Sequence, residues 1–159
     1  MKDIGIFYGS TTGTTEEVAH KLGKLLGVSD EDIHNVADTA PSVLGDYRLM
    51  VLGSSTWGSG ELQDDWYDFL DGAGALNLKD HKMAIFGLGD ESMTDTFCNA
   101  VGEIRKRMEP TEAVLVGEYP ADVYDYEHSE ATDGNTMYVN RPEITDKRLA
   151  DWAAIIKKA

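Results

Sequence analysis

The chain has 159 residues and 42% apolar content, enough for a single domain, 1–159, around one sizeable core. Lys and Arg total 14 against 29 Asp and Glu, a net charge of −15 that argues against nucleic acid or an anionic membrane as partner and favours basic proteins. The single cysteine, Cys98, excludes an internal disulfide, an all-cysteine iron–sulfur site and a C-x-x-C redox pair, so a reducing cytoplasm is expected and any redox role needs a bound cofactor.

Residues 4–8 form a short apolar run without strict alternation, the pattern of a strand buried on both faces. No secretory h-region or cleavage site follows, and no stretch nears the roughly 18 apolar residues of a membrane span. Val18, Leu22, Leu25 and Leu26 then recur at helical spacing, and a weaker strand over 32–36 fits after Gly27. A second buried strand is expected over 49–53, followed by a helix with Leu62, Trp66, Phe69 and Leu70 on one face. The strand 83–88 precedes a helical stripe of Phe97, Val101, Ile104 and Met108, and 113–116 supplies a last apolar run. From 118 to 140 there is no helical period, and Tyr119, Tyr124, Tyr126 and Tyr138 stand among acids, so this segment is expected as an irregular insertion in the last strand. A final helix begins at Thr145 with Leu149, Trp152, Ala153 and Ile156 inward.

The order is β-α repeated five times, which implies a doubly wound five-stranded parallel sheet with helices on both faces. Ligands of such sheets sit beyond the carboxyl ends of the strands, where strand order reverses. Three loops fall there: 9–14, 54–61 and 89–96.

In the first, Ser10, Thr11, Thr12, Thr14 and Thr15 surround Gly13 at a helix start. Unpaired N–H groups, the helix dipole and hydroxyl donors suit an anion, and Gly13 allows close backbone approach. The loop is neither GxxxxGK[ST] nor GxGxxG, so a phosphomonoester fits better than a nucleoside triphosphate or NAD. Thr14 with Glu17 also fits an ordinary capping box, and both readings stand together. The second loop sets Trp57 among Ser54, Ser55, Thr56, Gly58 and Gly60. Its ring could stack on a planar heterocycle or fold back over the next helix, whereas Trp66 and Trp152 fall at core spacing. In the third, Leu88, Gly89, Asp90 and Met93 precede a helix that Thr94 or Asp95 would cap, with Cys98 beside its apolar stripe.

Together these loops resemble those of the flavodoxins, and the resemblance extends over essentially the whole chain. Ser10-Thr11-Thr12-Gly13-Thr14-Thr15 is similar to the family's phosphate loop, Thr56-Trp57-Gly58 to the loop carrying the inner aromatic, and Gly87-x-Gly89-Asp90 to the third flavin-contacting loop. The insertion resembles that of the long-chain subfamily, and Gly60-Glu61-Leu62-Gln63-x-Asp65-Trp66 resembles the family's helix start. The resemblance implies strand order 2-1-3-4-5, a non-covalent FMN contacted by all three loops, Cys98 included, and low-potential electron transfer by a monomer. It implies redox proteins as partners, such as a flavin-dependent NADP reductase or an oxoacid oxidoreductase. It also implies that the Gly58 carbonyl, turned by a peptide flip, accepts a hydrogen bond from N5–H of reduced flavin. Many flavodoxins place a Tyr on the outer flavin face, where this chain has Met93, so a more exposed flavin or weaker binding is expected.

The phosphate loop contains no Lys or Arg, and Glu61, Asp64, Asp65, Asp68 and Asp71 follow the Trp57 loop without an intervening cation. Both features disfavour added negative charge on a bound flavin, and the acids fit either a docking face or a solvated helix surface. A flavin-dependent quinone-type reductase is the alternative, but none of His20, His34, His81 and His128 lies in the three loops. A phosphate-receiver module would need acids where Tyr8-Gly9-Ser10 and Gly53-Ser54-Ser55 stand.

Overall fold

The computed structural model describes residues 2–9, 14–57, 61–62, 65–89, 104, 106–116, 136–139, 150, 153–154 and 156–158. Their order is β1 (Lys2–Gly9), α1 (Thr14–Leu26), β2 (Ile33–Asn35), β3 (Tyr47–Trp57), β4 (Glu61–Leu62), α2 (Asp65–Ala73), β5 (Lys82–Gly89), β6 (Val114–Leu115) and β7 (Thr136–Val139). Residues 104, 106–108, 150, 153–154 and 156–157 are also helical.

The sheet runs β2-β1-β3-β5-β6, and these neighbours are all parallel. Four full strands thus stand in the expected order. Beyond β5, where a last strand interrupted by an insertion is expected, there are two short pieces: β6 pairs with Lys82 and Met83, and β7 pairs in parallel with Phe86–Gly89. Because β3 holds the other edge of β5 over residues 82–88, β6 and β7 share one edge. Thr136–Val139 therefore corrects the irregular reading of 118–140 at its far end, while 117–135 lies outside the described residues.

Alternation along the strands divides the core in two. Ile4, Ile6 and Tyr8 of β1 with Leu49 and Val51 of β3 pack under Val18, Ala19 and Leu22 of α1 and under Ala153 and Ile156. Phe7, Met50, Leu52 and Ile85 face the other way, against Trp66, Phe69 and Leu70 of α2 and against Ile104 and Met108. The helices cover both faces, as a doubly wound sheet requires.

Three expectations need correction. Leu25 is 37% exposed and Ala19 is buried in its place, because the buried arc of α1 is narrower than the apolar spacing suggested. Leu62 belongs to β4, since its backbone pairs with Thr56 before α2 begins. Between β2 and β3 the connection is two 3-10 turns, Val36–Asp38 and Pro41–Asp46, not an α-helix; Asn35 caps the first and Pro41 opens the second. Phe97, Val101, Leu149 and Trp152 lie outside the described residues. Trp66 is fully buried, as expected.

Candidate functional site

Parallel register places Gly9 beside Ser54, Ser54 beside Gly87 and Ser55 beside Leu88. The loops after β1, β3 and β5 therefore leave neighbouring strands at one level, on the carboxyl edge of the sheet. This juxtaposition is what the position of the three loops in the sequence predicted.

Only part of the expected site falls on the described residues. Thr14 and Thr15 open α1 through their backbone. Ser54, Ser55, Thr56 and Trp57 form the last residues of β3, and Leu88 and Gly89 end β5. Ser10, Thr11, Thr12, Gly13, Gly58, Gly60, Asp90, Met93 and Cys98 lie outside the described residues.

The first turn of the 13-residue α1 presents unpaired backbone N–H groups directly beyond β1, where an anion is favoured. Glu16 and Glu17 share that turn and add negative charge to it. Tyr8, at the carboxyl end of β1, reports the local field: burial pushes its phenol pKa up, and the charges of Glu16 and Asp38 push it further. Its ring lies 6.3 Å from that of His20.

Two features went unread in the sequence. The end of β3 folds back on β4 in antiparallel pairing, Thr56 with Leu62 and Trp57 with Glu61. Residues 58–60 are left as a three-residue connection rich in glycine, the composition such hairpins favour. In addition, the Trp66 indole Nε1–H donates to the Gly53 carbonyl over 2.9 Å, joining α2 to β3 next to Ser54. Apolar spacing marked Trp66 as core but carries no information about where its N–H points. Among the acids after Trp57, Asp71 is 3.7 Å from the Arg107 guanidinium, which offsets one negative charge that the sequence left unpaired. Among the described residues, no group of three or more His, Cys, Asp or Glu is placed to hold a metal ion, and no helix is long and apolar enough to cross a membrane.

Comparison with known proteins agrees with this architecture. A family profile described as flavodoxin matches residues 6–148. A flavodoxin of Haemophilus influenzae is 35% identical over 160 residues, covering 96% of this chain and 92% of the relative. A flavodoxin 1 of Azotobacter vinelandii is 37% identical, covering 99% and 97%. The crystal structure of Fusobacterium nucleatum flavodoxin bound to flavin mononucleotide superposes with a TM-score of 0.86 at 25% identity, covering 99% of this chain and 98% of that one. The strand order, the helices on both faces and these matches along nearly the whole length establish that the chain belongs to the flavodoxin family.

Proposed function

We propose that this chain binds one FMN non-covalently at the carboxyl edge of the sheet and carries electrons between redox proteins. The observation that carries the reading is the register that sets Gly9, Ser54 and Gly87 side by side, so that three polar, glycine-bearing loops converge on one place. The flavin mononucleotide held by the Fusobacterium nucleatum flavodoxin supports the same assignment. When bound, FMN supplies reversible one-electron chemistry.

The protein's residues bind and orient it. Ser10, Thr11, Thr12, Gly13, Thr14 and Thr15 offer hydroxyls and the α1 N-terminus to the phosphate. Trp57, held at the mouth of the β3–β4 hairpin, covers one ring face, and Ser54, Ser55, Thr56, Gly60, Leu88, Gly89, Asp90 and Cys98 complete the surround. Gly58 would supply a carbonyl that accepts a hydrogen bond from a protonated flavin N5, and glycine permits the positive φ such a turn of the peptide needs. On the long-chain reading, β6 and β7 are the two ends of a fifth strand, 2-1-3-4-5, interrupted by the insertion. A monomer in the cytoplasm, with a flavin-dependent NADP reductase or an oxoacid oxidoreductase as partner, fits the acidic surface.

Titration of the purified apoprotein with FMN tests the reading. One equivalent is expected to bind, with flavin fluorescence quenched by Trp57; absence of binding overturns it. Rapid NADH-dependent quinone reduction without an added reductase would favour the reductase alternative.

A further inference from the structure

Trp66 has 0% exposure, yet it does more than fill the core. Its Nε1–H donates to the carbonyl of Gly53, which is paired with Tyr8 on one side and Phe86 on the other. Thirteen residues of chain separate the two partners, and that segment contains Ser54, Ser55, Thr56, Trp57 and the hairpin connection. At its tip the segment is zipped by the Thr56–Leu62 and Trp57–Glu61 pairs. A side-chain hydrogen bond at the base and a two-residue ladder near the tip therefore fix both ends of one loop. The indole plane is itself held by Phe69, which meets it edge-on at 5.4 Å and 89°.

A tryptophan that only filled space would need its N–H satisfied, but any acceptor would serve. The acceptor here is the last β3 carbonyl before the candidate site. We propose that Trp66 is a positioning residue: through Gly53 it sets the direction in which the backbone of residues 54–57 leaves the sheet, and so how that loop meets a bound flavin. The proposal rests on the FMN reading above.

The test is Trp66→Phe, which keeps an aromatic ring and removes the donor. Loss of one buried hydrogen bond is expected to weaken FMN binding about ten-fold, with altered visible circular dichroism of the bound flavin. Leu78→Ala serves as the control, because it loosens the same core beyond the end of α2 and leaves the Phe69–Trp66 ring contact in place, and its FMN affinity is expected to stay within about two-fold of wild type. Unchanged affinity and dichroism in Trp66→Phe, or equal effects in both variants, overturn the proposal while leaving the FMN reading intact. Failure of wild type to bind FMN overturns both. Should Trp66→Phe not fold, the Trp66 indole N–H of wild type is followed by hydrogen exchange. Protection is then expected to rise on adding FMN, and equal protection with and without FMN overturns the proposal.

Discussion

The Tyr47 hydroxyl lies 2.9 Å from Asp32 Oδ1 and 2.7 Å from His34 Nε2, and its backbone oxygen lies 2.6 Å from His81 Nδ1. A phenol has one proton to give, and Asp32 accepts it, so His34 donates from Nε2 to the phenol oxygen. The ring also lies over Gly5, where a Cβ would come within 2.6 Å of it, which is why β1 carries a glycine in mid-strand. Lys2 first, and then the Tyr47 and Ser29 hydroxyls, hold the Asp32 carboxyl below its ordinary 3.8. Burial holds His34 below its ordinary 6.5. Both folded values are depressed, so both groups contribute stability that is present above the ordinary value and lost as pH falls through the folded one. Tyr47→Phe removes a hydrogen bond to a charged acceptor and is expected to cost about 1 to 3 kcal/mol at pH 7. Urea unfolding as a function of pH below 7 checks this: the cost should shrink as pH falls through the depressed Asp32 value, and a cost that does not change with pH would sink the charge-assisted account. In the loop that follows β5 in sequence, Met93→Tyr is expected to tighten FMN binding by offering a broader ring face than a thioether does. Unchanged or weaker binding in a fluorescence titration would count against it.

Among the elements, α1 shows local chemistry that sequence and structure state alike. Gly27 has φ +72°, and Val28 N–H donates to the Gly23 carbonyl over 2.8 Å, so the helix ends in a Schellman turn. Gly27→Ala is expected to destabilise by about 1 kcal/mol through left-handed strain alone, since nothing lies within 4 Å of a Cβ there. A chevron analysis should show no change in the slope m, and a neutral variant would refute the strain argument. The central strands were legible for a different reason: buried on both faces, they read as unbroken apolar runs. The short elements were not. β4 and β7 span two and four residues, too few to show a period, and only pairing with β3 and β5 defines them. Within the site, the clustering of hydroxyls and glycines in three loops was visible in the chain. The Trp66 to Gly53 bond was not, because it links a side chain to a backbone atom 13 residues away.

Over the whole molecule, a net charge of −15 acts on any charge that a bound flavin gains. At the carboxyl edge Glu16 and Asp38 add to what burial does in raising the Tyr8 phenol pKa, and α1 opens with two acids instead of a cation. Asp71 adds little, because Arg107 lies beside it, and so the acids worth neutralising are Glu61, Asp64 and Asp65. A unit charge about 10 Å away costs roughly 0.4 to 1.7 kcal/mol at effective dielectrics of about 80 to 20, and three such charges act in the same direction. At about 1.4 kcal/mol per 59 mV, changing all three to their amides is expected to raise the lower one-electron couple of the bound FMN by about 50 to 200 mV. If the same acids also steer a basic partner, the rate of reduction by that partner should fall steeply as ionic strength rises through about 0.1 M, where the Debye length is near 10 Å. The two measurements separate two roles of one charge cluster. A raised potential with a salt-insensitive rate assigns the acids to tuning alone, a steep salt dependence with an unchanged potential assigns them to docking alone, and only both effects together support a face that tunes the cofactor and steers its partner.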